Sequence, residues 1–231
     1  MEVNGYKIEP GANLTGVDLS KTNLSNANLE GADLTGSDLY KANLSGANLR
    51  GAVLVGIKIV GGNLSGARLS RANLTGAILV DANLCDADLG GADLKSANMR
   101  GVKLGGTVLQ SANLSWTNLS GAHIYDATLT GANFTEANLR RAHMTGENFR
   151  GLNMRGAILV NANLYAADLS CADLSGANLS GANLSYANLT DTNLYCANLR
   201  GANLEDANLG DASTQGTNLS GATMPDGTIN D

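Results

Sequence analysis

The side chains able to carry chemistry are few, and most of them gather in the middle of the chain. His123 and His143 are the only histidines in 231 residues. An imidazole pair can share a metal ion or move a proton near neutral pH. Arg140, Arg141, Arg150 and Arg155 follow closely, with Arg100 upstream. Guanidinium forks match oxyanions, so such a cluster suits an anion or an acidic partner surface. Glu147 stands among apolar neighbours, where an unpaired carboxylate is costly. Cys85, Cys171 and Cys196 are odd in number and show no metal-binding spacing. No serine is grouped with a histidine and a carboxylate in a known motif, and no glycine loop is shaped to cradle phosphate. The expectation is a protein that is not an enzyme and needs no cofactor.

These residues ride on a strict period. From Leu14 to Met224 every fifth residue is apolar except Thr214, giving 43 positions, of which 34 are Leu. Ala stands two residues earlier in 31 repeats, and Asn or Asp one residue earlier in 31. A step of five fits neither the 3.6-residue period of a helix nor the alternation of a strand. Asn, Asp, Ser, Thr and Gly recur throughout, and all of them oppose helix and favour turns. Each repeat therefore reads as one short extended side and one tight turn. Leu points inward, its two neighbours point outward, and Ala fits inward near a corner. Such units bury their apolar faces only by stacking.

The run Ala42-Asn43-Leu44-Ser45-Gly46-Ala47-Asn48-Leu49-Arg50-Gly51 resembles the pentapeptide-repeat proteins, and the resemblance extends over residues 12–224. It implies an all-β fold, a right-handed quadrilateral β-helix with four repeats per coil and about 11 coils. Residues twenty apart would then stack, roughly 4.8 Å from one another. Many such proteins, often cyanobacterial, are rods without known activity. Others confer quinolone resistance by mimicking DNA and binding DNA gyrase.

The stacking implied by this resemblance places Lys103, His123 and His143 in one outward column. Two imidazoles fall short of the three or four ligands that zinc requires, so this pair is a weak metal candidate and surface drift is the plainer reading. Arg140 shares a column with Arg100. Glu147 takes an inward small-residue position beside Met144, Phe149, Leu152 and Met154. Its coil should be distorted, letting the carboxylate reach water, Arg150 or Arg155. Val60, Ile78 and Val80 should face outward as an apolar patch, and exposed apolar patches mark contact surfaces.

The only prolines, Pro10 and Pro225, bracket the repeats. Residues 1–11 are thus an expected N-terminal cap and 225–231 a C-terminal tail of a single domain, neither of them long enough for a capping helix. Solenoid ends need covering, and a homodimer through an end coil is the expectation, more so at the C-terminal end. No apolar run approaches membrane-spanning length, no signal peptide opens the chain, and the cysteines do not read as disulfides. A cytoplasmic protein with no membrane contact follows. Residues 50–155 carry eleven basic and seven acidic groups, whereas residues 156–231 carry one basic and eight acidic. A basic waist between acidic ends suits a scaffold for a macromolecular partner, an unidentified protein, without direct nucleic-acid binding. A gyrase-directed DNA mimic is the alternative, but it needs a dense acidic face throughout. A metal or anion binder at His123 and His143 or at Arg140–Arg155 is the third reading.

Overall fold

An inward residue at every fifth position requires the chain to turn a corner every five residues. The computed structural model describes residues 1–231 and shows this geometry throughout. At every corner but the one after Ile124 the carbonyl of the inward residue accepts the N–H three residues on, as Leu24 accepts from Ala27 at 3.0 Å. The residue before that donor has positive φ at every corner from Gly11 to Gly221, the signature of a type II turn. Glycine fills many of these positions, but Arg71, Trp116 and Tyr186 fill others at φ 59°, 63° and 62°. Bulky residues there cost on the order of 1–2 kcal/mol each, so the stacked coils must impose the conformation.

Successive coils join by single-residue parallel rungs between residues twenty apart, 38 in number, from Asn13–Asp33 to Asn203–Thr223. Four repeats therefore make one coil. A rung holds two bonds: Leu29 N–H donates to Asn48 C=O at 2.7 Å, and Asn48 N–H to Ala27 C=O at 2.9 Å. The recurrent Asn or Asp serves both turn and stack. Asn23 Oδ1 accepts the Ser25 N–H at 3.2 Å and also the side-chain amide of Asn43 at 3.1 Å. Inside, 70 hydrophobic residues form one continuous core of Leu and Ala layers. Polar residues at the Ala position are satisfied locally, as Ser37 Oγ donates to Leu34 C=O at 2.6 Å.

The two ends differ. A hairpin of β1 (Glu2–Val3) and β2 (Tyr6–Lys7) covers the first coil, and Ile8 is buried against it. A second hairpin, β3 (Ala222–Thr223) with β4 (Ile229–Asn230), closes the chain. It leaves Leu209, Leu219 and Met224 half-buried and Thr214 exposed. No helix is long and apolar enough to cross a membrane.

Candidate functional site

The irregularities lie between residues 100 and 160. The deepest is a break in the ladder. Rungs join Val108 to Thr128 and Asn148 to Asp168, but Thr128 and Asn148 do not pair, the one gap between Asn13 and Thr223. Glu147 causes it. Its buried carboxylate accepts the backbone N–H of Asp126 at 2.5 Å and of Ala127 at 3.3 Å. Ala127 thereby abandons the turn bond that its counterparts make, and Leu129, Gly131 and Asn148 donate no backbone hydrogen bond within the chain. A cavity of about 230 Å3 opens between the separated strands, lined by residues including Thr128, Leu129, Asn148 and Arg150. Bulk alone does not produce this. Ile57 and Val102 occupy the same inward position with the equivalent rungs Asp38–Lys58 and Asn83–Lys103 intact.

Burial raises the pKa of Glu147 above the ordinary carboxylate value. The N–H groups of Asp126 and Ala127 pull it back, and the Asp126 charge adds to the rise. The coil is distorted as its unusual residues imply, but the carboxylate meets backbone N–H groups rather than Arg150 or Arg155. Beside it, Phe134 and Phe149 pack edge to face, 6.1 Å between centroids.

The arginines that crowd together in sequence separate in space. Arg150 donates to Ser170 Oγ at 3.0 Å, and Arg155 Nε lies 3.9 Å from Asp173. Arg100, Arg140 and Arg141 instead line a cleft of about 390 Å3 with Ser120, Gly121, Val160 and Asn161. Arg100 and Arg140 lie two coils apart, with Ser120 on the coil between them. Ser120 and Gly121 carry no residue-type signal of a site, although stepping by twenty from Arg140 and Arg141 reaches both.

His123 and His143 stack face to face, 4.6 Å apart and 9° from parallel. The pair has no third partner, since no three His, Cys, Asp or Glu side chains cluster to hold a metal ion. Val60, Ile78 and Val80 are half-buried rather than exposed, so the expected apolar patch is subdued: neighbouring coils shield these branched side chains along the stack. Cys85 is half-buried with Sγ 3.7 Å from the Tyr125 hydroxyl, while Cys171 and Cys196 are exposed and free.

The family described as pentapeptide repeats matches in successive, partly overlapping stretches from residues 12–51 to 202–226. Among solved structures, HetL from the cyanobacterium Nostoc sp., a pentapeptide repeat protein involved in heterocyst differentiation regulation, is 35% identical. The match covers 93% of this chain and 92% of HetL with a TM-score of 0.51. Rfr23, from the cyanobacterium Cyanothece, is 28% identical over 54% of this chain and 85% of its own, TM-score 0.39. The fluoroquinolone resistance protein QnrB1 is 20% identical over 91% of this chain and 90% of its own, TM-score 0.40. A comparison with curated proteins gives no match. Family model and structural relative agree with the five-residue period and the twenty-residue rungs: the chain belongs to the pentapeptide-repeat family, whose fold is the right-handed quadrilateral β-helix.

Proposed function

We propose that the protein is a non-enzymatic scaffold, a rigid cytoplasmic rod of roughly 11 coils and about 50 Å that docks an acidic protein partner across its waist. One observation carries this reading. Arg100, Arg140 and Arg141 share a cleft lined by no carboxylate, while the chain's single ion pair lies elsewhere, at Arg155–Asp173. Three free guanidinium groups on a chain of net charge −6 offer a local contrast that can orient a partner. Val80 and Val160 flank the arginine column and add apolar contact area. HetL, a relative of similar length, is involved in differentiation regulation, and binding without catalysis is compatible with a regulatory part.

Affinity capture should compare the native protein with Arg140→Glu and Val160→Asp variants. A partner retained by the native rod and lost by both variants supports the reading. Identical retention by all three overturns it. A DNA-mimicking gyrase inhibitor fits less well, because the excess of basic groups over residues 50–155 interrupts the acidic surface such a mimic needs. The half-buried Leu209, Leu219 and Met224 at the C-terminal end support homodimerisation through that end.

A further inference from the structure

The chain builds the same arginine arrangement twice, and the difference between the copies suggests a ligand. In the first copy, Arg50 and Arg71 flank Ser70 in adjoining clefts that also contain Glu30 and Asp88. Those guanidinium groups have carboxylates of the chain within the same clefts. In the second, Arg100, Arg140 and Arg141 surround Ser120 and Gly121, and the remaining lining residues are Val160 and Asn161. The second copy has three positive groups and no negative one.

The backbone leaves room at the centre. Gly121 adopts φ 65°, and a Cβ placed there would meet nothing within 4 Å. The nearest acidic group along that column is Asp81, two coils away, whose carboxylate lies over Gly101 and forms no ion pair with any arginine. Arg100 and Arg140 approach from opposite sides of Ser120, about 9.6 Å apart at the backbone for two strand spacings. Long guanidinium side chains can close that span around a tetrahedral or planar oxyanion and bond it through paired N–H groups.

We propose that this cleft is an oxyanion site, built to take a phosphoryl group or a carboxylate cluster carried by the partner. The inference rests on the scaffold reading for its biological source, but the site can be tested without a partner. Ser120 stands at the position that Glu30 and Glu205 hold in other repeats, so Ser120→Glu is compatible with the turn and would supply an internal anion, as Glu30 does in the first cleft.

The experiment follows arginine side-chain Nε–H signals by NMR during titration with inorganic phosphate, and separately with a triglutamate peptide, at constant ionic strength maintained with chloride. The expected result is saturable shifts confined to Arg100, Arg140 and Arg141. These should weaken about tenfold or more in Arg100→Gln/Arg140→Gln and disappear in Ser120→Glu. Saturation by phosphate assigns a phosphoryl ligand, and saturation by the peptide alone assigns acidic side chains. Unsaturable shifts spread equally over Arg50, Arg68 and Arg200 would reduce the cleft to ordinary ion atmosphere and overturn the site. An anion bound here with no partner captured would fail the scaffold reading alone. A captured partner with no anion bound would fail only this inference.

Discussion

Two stretches of one ladder obey different rules. Around Leu44 each corner closes by its own turn bond, each rung pairs above and below, and the asparagine stack Asn23–Asn43–Asn63 runs unbroken outside. Around Leu129 a single inward carboxylate diverts two N–H groups and one rung disappears. The regular stretch shows that the solenoid tolerates wide variation outside while holding its interior to Leu and Ala. The breached stretch shows that one buried charge, with both oxygens satisfied, can unpair the strand beside it. Cohesion is thus collective along the rod but local in its failures.

The largest effect should come from the core beside the breach. Phe134 is fully buried and packed against Phe149, so Phe134→Ala should destabilise by about 3–5 kcal/mol, read from denaturant midpoints at unchanged slope. An unaltered midpoint would make the breached coil a passive insertion rather than part of the cooperative unit.

A matched pair tests whether the breach softens its surroundings. Leu109 and Leu129 occupy the same column on consecutive coils, and both are buried. Leu109 is pinned by bonds on both sides, whereas the strand carrying Leu129 has lost its upper neighbour. Cavity costs depend on how far a site can collapse, so Leu109→Ala should cost about 3–4 kcal/mol and Leu129→Ala about 2 kcal/mol. Equal losses would show that the breached strand is as rigid as the rest.

Much of this was legible in the sequence. The period of five locates the inward residues, and Glu147 stands out as the misfit because a carboxylate occupies an Ala position. Where its charge would go was not legible. Arg150 and Arg155 are near in sequence, but the backbone N–H groups that take the charge, those of Asp126 and Ala127, lie a coil below. Backbone donors carry no residue-type signal, so a search by side-chain chemistry passes over them. The arginine cluster failed similarly: neighbours in sequence turn different corners, and only the step of twenty separates Arg140 from Arg150. Val60, Ile78 and Val80 are less exposed than alternation implies, because alternation gives direction and not the shielding by stacked neighbours.

Restoring the repeat should close the gap. Glu147→Ala removes the acceptor that diverts Asp126 and Ala127 and leaves the residue the repeat favours. The turn bond at Ala127 and the ladder bonds of Leu129, Gly131 and Asn148 can then form, each worth about 0.5–1.5 kcal/mol net. Two lost charge-assisted bonds, about 1.5–3 kcal/mol each, nearly cancel these, and relief of the carboxylate's burial tips the balance to a gain of at most about 1 kcal/mol, with slower amide exchange at Leu129 and Asn148. A loss of stability would mean that Phe149 and Leu152 hold the coil open without help.

The smallest effect separates the two regions by sign. In the regular coils Asp33 has its pKa lowered, first by the Thr35 hydroxyl and then by the Thr35 N–H. A depressed folded pKa contributes stability above the unfolded value that is lost as pH falls through the folded one. Glu147 is displaced upward, chiefly by burial, so its ionised form is disfavoured in the fold, and stability declines as pH rises from the ordinary Glu value through the raised one. Acidification should therefore erode the advantage of the native protein over Asp33→Asn while improving its standing against Glu147→Gln. Melting temperatures of the three proteins, carried from near neutral pH to below the ordinary Asp value, measure both slopes, that of Glu147 at the upper end of the span and that of Asp33 at the lower. If the two differences ran in the same direction, the Glu147 carboxylate would be better solvated than its burial implies, and the breach would be a solvent channel rather than a wedge.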